Sequence, residues 1–137
     1  MSAPTRPLDV LVVDDSAPLR AAVTALLGSE RLCAVVADAA DGAEGVRLAE
    51  LLEPDCVVLD LDMPVLGGLE ALPEIKRRSP LSKVVVFSGL EEAGSAARAR
   101  AAGADACVEK PAGMALLLPT ILRVCAAGGV AGALQAA

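Results

Sequence analysis

The chain has 137 residues, 55% hydrophobic and 22% charged, which fits one globular domain with a sizeable core and excludes a disordered chain. Its net charge of −6 and its scattered basic residues provide no cationic face for phosphates, so no direct nucleic-acid binding is expected. The uncharged stretches on either side of Arg123 are shorter than the ~20 residues that cross a bilayer, and no basic n-region precedes an apolar run; no membrane association is expected, and the cytoplasm is the expected location.

Residues 1–7 read as a disordered lead-in, 8–127 as the folded domain and 128–137 as a C-terminal tail or the start of a linker. Val10–Val13 is an apolar run of the length and type of a strand buried on both faces. Ser16 as a cap and Pro18 in a first turn predict a helix to Leu27, stopped by Gly28. Cys33–Val36 reads as the second strand, and Asp41-Gly-Ala-Glu44 opens a helix to Leu52 in the manner of a capping box. Pro54-Asp55 breaks the chain before a third strand, Cys56–Leu59. Met63-Pro64 and Gly67-Gly68 mark a loop, and the helix after it runs to Arg78, with Pro73 placed early or at a kink. Val84–Phe87 is the fourth strand, Glu91–Ala102 a helix closed by Gly103, Ala106–Val108 the fifth strand and Gly113–Ala127 the last helix. On that helix Leu116, Leu117, Ile121, Val124 and Cys125 are expected to face inward. Alternating strands and helices predict right-handed crossovers and one doubly wound α/β domain with a parallel sheet.

Polar residues follow four of these strands directly: Asp14 and Asp15 the first, Asp60 and Asp62 the third, Ser88 and Gly89 the fourth, and, just beyond its predicted end, Lys110 the fifth. In a parallel sheet they emerge at one edge, where ligands bind beyond the carboxyl ends of the strands. An order of 2-1-3-4-5 makes strands one and three neighbours and brings the carboxylates together. Clustered carboxylates offer the hard oxygens that suit Mg²⁺, and a lysine suits phosphate, so the pattern predicts a divalent-metal and phosphoryl site. A lone Asp-Asp after a strand is commonly a solvated turn or a helix cap; its companion Asp60-Leu61-Asp62 overrides that reading. The four cysteines have no C-x-x-C spacing and histidine is absent, so they are expected to be small buried hydrophobes in a reducing compartment.

In this order and spacing, the acidic pair Asp14-Asp15, P-D-C-V-V-L-D ending at Asp60, Met63-Pro64 with Gly68, Ser88-Gly89, A-A-G-A-D and Lys110-Pro111 resemble a receiver domain of two-component response regulators, from about Val10 to Cys125. The resemblance implies a flavodoxin-like five-stranded sheet and a phosphorylation-dependent switch. It implies that Asp60 accepts a phosphoryl group from a histidine kinase or phosphotransfer protein. Asp15, Asp60 and the backbone carbonyl of Asp62 would bind Mg²⁺, with Asp14 acting through water. Lys110 would pair with Asp60 before transfer and with a phosphoryl oxygen afterwards, Ser88 would be the switch hydroxyl, and Gly89 would leave room for the donor. A cis Lys110-Pro111 bond would aim the lysine. The responding surface would be the fourth helix, fifth strand and fifth helix, read by a downstream protein or an output domain beyond this sequence. The domain would be a monomer or a phosphorylation-dependent dimer and would catalyse only its own phosphorylation and dephosphorylation.

The sequence also departs from that pattern. Cys107 stands where receivers carry an aromatic switch residue, and the only aromatic, Phe87, precedes Ser88 and is expected in the core on the opposite face of the sheet. Asp62 and Leu90 stand at positions that, the resemblance implies, flank the phosphoryl pocket and tune dephosphorylation, in a direction the residues themselves leave open. Cys107 keeps in view a receiver-like scaffold that binds partners without phosphorylation. The D-x-D of Asp60 and Asp62 superficially matches aspartyl-phosphate hydrolases, whose motif lies on the first strand beside a cap insertion, neither of which this chain shows.

Overall fold

The computed structural model describes residues 6–90, 93–110 and 113–126. Strands and helices alternate as β1 (Leu8–Val13), α1 (Ala17–Ser29), β2 (Cys33–Ala39), α2 (Gly42–Leu52), β3 (Cys56–Leu59), α3 (Gly68–Arg78), β4 (Lys83–Ser88), α4 (Ser95–Ala101), β5 (Ala106–Glu109) and α5 (Met114–Ala126). The strands form one parallel sheet in the order β2-β1-β3-β4-β5. This is the expected doubly wound arrangement.

Each central strand divides its apolar side chains between two cores. Val10, Val12, Val58, Val85 and Phe87 pack under α1 and α5 with Val23, Leu27, Leu117 and Ile121. Leu11, Val13, Leu59 and Val86 pack under α2, α3 and α4 with Ala49, Leu72, Ile75 and Ala99. Because both faces are covered, β3 is buried at all four positions, which is why it reads as an uninterrupted apolar run.

Several boundaries differ from the sequence expectation for local reasons. β2 extends to Ala39, past Val36, because this edge strand follows β1 as far as Val13 while exposing Val36 and Asp38. α1 passes through Gly28; the left-handed residue after it is Arg31, at φ 58°. β4 and β5 each extend beyond the apolar run, to Lys83 and Ser88 and to Glu109. The helix expected from Glu91 is a shorter α4 preceded by Gly94 at φ 83°, a backbone that ends any helix entering from the N-terminal side; Glu91 itself lies outside the described residues. On α5, Leu117, Ile121 and Val124 are buried and Cys125 is half-buried, but Leu116 is 60% exposed, being about 100° around the helix from Leu117. The Ala127 end of α5, the cis bond at Pro111, most of the lead-in and the tail lie outside the described residues.

Strand register fixes the level at which the chain leaves the sheet. Val13 pairs with Leu59, and Leu59 with Val86. The ladder continues one step further, with Asp14 N–H donating to Ala39, Asp60 N–H to Val13 and Lys110 N–H to Ser88, at 3.0, 2.9 and 2.8 Å. Asp14, Asp60 and Lys110 therefore begin at a common edge.

Candidate functional site

Turn chemistry at the end of β1 sets the first carboxylates. Asp14 is 3% exposed and its Oδ1 accepts from Ser16 N–H at 2.9 Å, while Ser16 Oγ accepts from Leu19 N–H and caps α1. Asp15, the next residue, is exposed. Arg20, one turn into α1, donates Nη1 to the Asp14 carbonyl at 2.7 Å and Nε to Asp38 at 3.0 Å, tying the turn to the end of β2. Arg20 escaped the sequence reading because its acidic partner lies 18 residues away on another strand.

Asp60 ends β3 with 6% exposure, and its Oδ1 accepts from Ser88 Oγ at 2.9 Å. The Ser88 hydroxyl in turn accepts from Leu61 N–H at 3.4 Å. Asp14, Asp15 and Asp60 each offer a carboxylate oxygen within 4.8 Å of the others, a hard-oxygen set that could hold a divalent cation. Burial, with help from the negative Asp14, pushes the Asp60 carboxyl above its ordinary range, against the opposing pull of Lys110, the Ser88 hydroxyl and the Asp62 N–H. A buried carboxylate held high by desolvation and a like charge is suited to a cation that removes that penalty.

Lys110 reaches this cluster from β5. Its Nζ lies 2.7 Å from Asp14 Oδ2 and 3.5 Å from Asp60 Oδ1. Both ion pairs form, but the tighter partner is Asp14, whereas the resemblance pointed to Asp60. The reason is that Asp60 Oδ1 is shared with Ser88, while Asp14 Oδ2 is free to meet the ammonium. Phe87 is buried in the core on the face away from Ser88, as expected, yet its ring also lies under Lys110, with Nζ 5.7 Å from the centroid.

The β3–α3 loop closes over Asp60. Gly68 N–H donates to the Leu61 carbonyl at 2.9 Å, and a Cβ at Gly68 would stand 2.2 Å from the Asp60 carbonyl, so this approach requires glycine. Asp62 is exposed, and only its backbone N–H serves Asp60. With Met63, Ser88, Leu90 and Arg98, it lines a cleft of about 590 Å³ beside the cluster. Leu90 lies at this rim with φ 54°, and Gly89 joins it to Ser88.

Cys107 stands apart from the cluster; its thiol donates to the Ala96 carbonyl of α4 at 3.9 Å. Cys33 and Cys56 are buried core residues, and all four cysteines are free thiols. Asp105 is more than a surface charge: its Oδ2 accepts from Val84 N–H at 2.8 Å and from Lys76 Nζ at 2.9 Å, tying the start of β5 to β4 and α3. No helix among the described residues is long and apolar enough to cross a membrane.

A sequence model of the response regulator receiver domain matches residues 10–122. The protein-glutamate methylesterase/protein-glutamine glutaminase of Symbiobacterium thermophilum is 47% identical over 109 residues, covering 79% of this chain and 30% of that protein. The chain thus spans under a third of that relative. The response regulator domain of Thermotoga maritima CheB superposes with a TM-score of 0.82 at 34% identity, over 90% of this chain and all of that one. A chain of the CheX-CheY-BeF3-Mg²⁺ complex of Borrelia burgdorferi does so with a TM-score of 0.81 at 29% identity, over 87% and 90% of the two chains. With the β2-β1-β3-β4-β5 sheet and the acidic cluster at its carboxyl edge, these matches establish that the chain belongs to the response regulator receiver domain family of two-component signalling.

Proposed function

We propose that this domain is a phosphorylation-dependent switch in which Asp60 takes a phosphoryl group from the phosphohistidine of a histidine kinase or phosphotransfer protein. The observation that carries the reading is the convergence of Asp14, Asp15, Asp60, Ser88 and Lys110, contributed by four strand ends, on one small volume. Asp60 Oδ would attack phosphorus, the P–N bond would break, and the histidine would leave with the electron pair and take up a proton. An anion attacking an anion needs its charge screened. Mg²⁺ held by Asp15, Asp60 and the Asp62 carbonyl, with Asp14 through water, would supply that screening. The relative crystallised with BeF3 and Mg²⁺ supports this assignment.

Lys110 would exchange Asp14 for a phosphoryl oxygen, and Ser88, already turned toward Asp60, would donate to another. Gly89, which has no side chain, would leave room for the donor. Asp62 and Leu90, at the mouth of the pocket, would set how readily water reaches the acyl phosphate. The new group adds a charge of about −1.5 to −2, enough to bias a two-state surface formed by α4, β5 and α5 toward a protein partner or an output domain. Without an aromatic on β5, the half-buried Cys107 under α4 would transmit the change by a small displacement.

Acetyl phosphate with Mg²⁺ should add one phosphoryl mass to the chain, and Asp60→Asn should abolish it. No adduct from acetyl phosphate or from any phosphohistidine donor would sink the proposal and leave the scaffold reading.

A further inference from the structure

Lys110 begins at the end of β5 but pairs with Asp14 at the end of β1, so its side chain crosses the ends of β4 and β3. What lies beneath it is Phe87, the only aromatic among 137 residues. Phe87 is 1% exposed and fixed among core residues of β1, β3, β5, α1 and α5, so its ring is a rigid surface. The Lys110 side chain is 22% exposed, and its ammonium lies 5.7 Å from the ring centroid, within the distance at which a cation is attracted to an aromatic face.

We propose that Phe87 is a positioning residue for Lys110, a neutral anchor that keeps the ammonium over the pocket while its anionic partner changes. This rests on the phosphoryl reading above. An acidic residue in place of Phe87 would compete for the cation, and an aliphatic one would not attract it. The ring attracts the ammonium without adding net charge to a cluster that already holds three carboxylates. With the ring holding the ammonium over the pocket before a group forms on Asp60, Lys110 need not be gathered from solvent at that moment, so less of the group's binding energy is spent on ordering it.

A single phenylalanine makes the test selective, because biosynthetic replacement by 4-fluoro- or 3,4,5-trifluorophenylalanine alters this one side chain and drains its π face stepwise with little change of shape. In the metal-free protein, the single ¹⁹F resonance of the 4-fluoro form should move on Lys110→Met; an unmoved resonance overturns the contact. With Mg²⁺, beryllofluoride should bind about two- to fivefold more weakly to the trifluoro form than to native protein, with the monofluoro form between them and no such series in Lys110→Met. Equal affinity across the ring series overturns the positioning role and leaves Phe87 as packing alone, a role that Phe87→Leu would disturb and ring fluorination would not. Failure of native protein to bind beryllofluoride overturns the phosphoryl reading instead, and the ¹⁹F comparison then decides the contact by itself.

Discussion

Asp60 carries a penalty when ionised. Burial raises its carboxyl above the ordinary range, the nearby Asp14 charge adds to the rise, and Lys110, Ser88 and the Asp62 N–H offset only part of it. A carboxyl raised in the folded state binds more protons folded than unfolded, so its ionisation lowers stability as pH rises through that window. The loss is absent below the ordinary carboxylate range and complete above the raised value. Asp60→Asn, neutral and able to accept from Ser88, should therefore unfold at higher urea than the parent at pH 7 in EDTA, and the advantage should fade toward pH 3. A constant advantage across that range would place the effect in packing instead. Burial likewise pushes the Cys33 thiol up to about 11, and a hydrogen bond with Cys125, followed by burial, holds the Cys56 thiol well above its usual range.

At the scale of elements, strands buried on both faces were legible in the sequence because nothing polar interrupts them, as in Cys56–Leu59. The end of β2 was not, since its pairing with β1 carries it through Asp38, and the start of α4 was obscured because an acidic pair precedes Gly94. Leu116 was misplaced because it is one of three consecutive leucines, only one of which, Leu117, is fully buried. The β3–α3 loop holds a further feature without a sequence signal: Val65 sits at φ 68° and is 81% exposed. A β-branched residue in the left-handed region costs about 1–2 kcal/mol, and with so little buried surface there is little packing to repay it. Asparagine tolerates that backbone, so Val65→Asn should raise stability by about 1 kcal/mol in a urea titration. A loss of stability would show that the Val65 side chain contributes packing worth more than its backbone cost.

Over the whole molecule, the candidate site was legible because strand ends in a parallel sheet converge whatever the exact helix boundaries, so errors at α4 or α5 left it intact. Its finer wiring was not: the preference of Lys110 for Asp14, the Arg20 bridge from α1 to Asp38 of β2 and the ring beneath Lys110 depend on contacts between elements well separated in the sequence. The fold therefore gathers like charge at one edge of a chain whose net charge is already −6, and a cation held there should couple to global stability. Native protein that binds Mg²⁺ gains about 2.7 kcal/mol at a hundredfold excess over Kd, which raises Tm by roughly 10 °C for a domain of this size. Asp15→Asn is the informative variant, because Asp15 is exposed and its loss should change the metal-free Tm little while removing one ligand. The Mg²⁺-dependent rise should shrink severalfold in Asp15→Asn and vanish in the Asp15→Asn, Asp60→Asn double variant, whereas NaCl at matched ionic strength should not reproduce it. An equal rise in parent and double variant would locate the cation elsewhere on the acidic surface and remove the metal from the site.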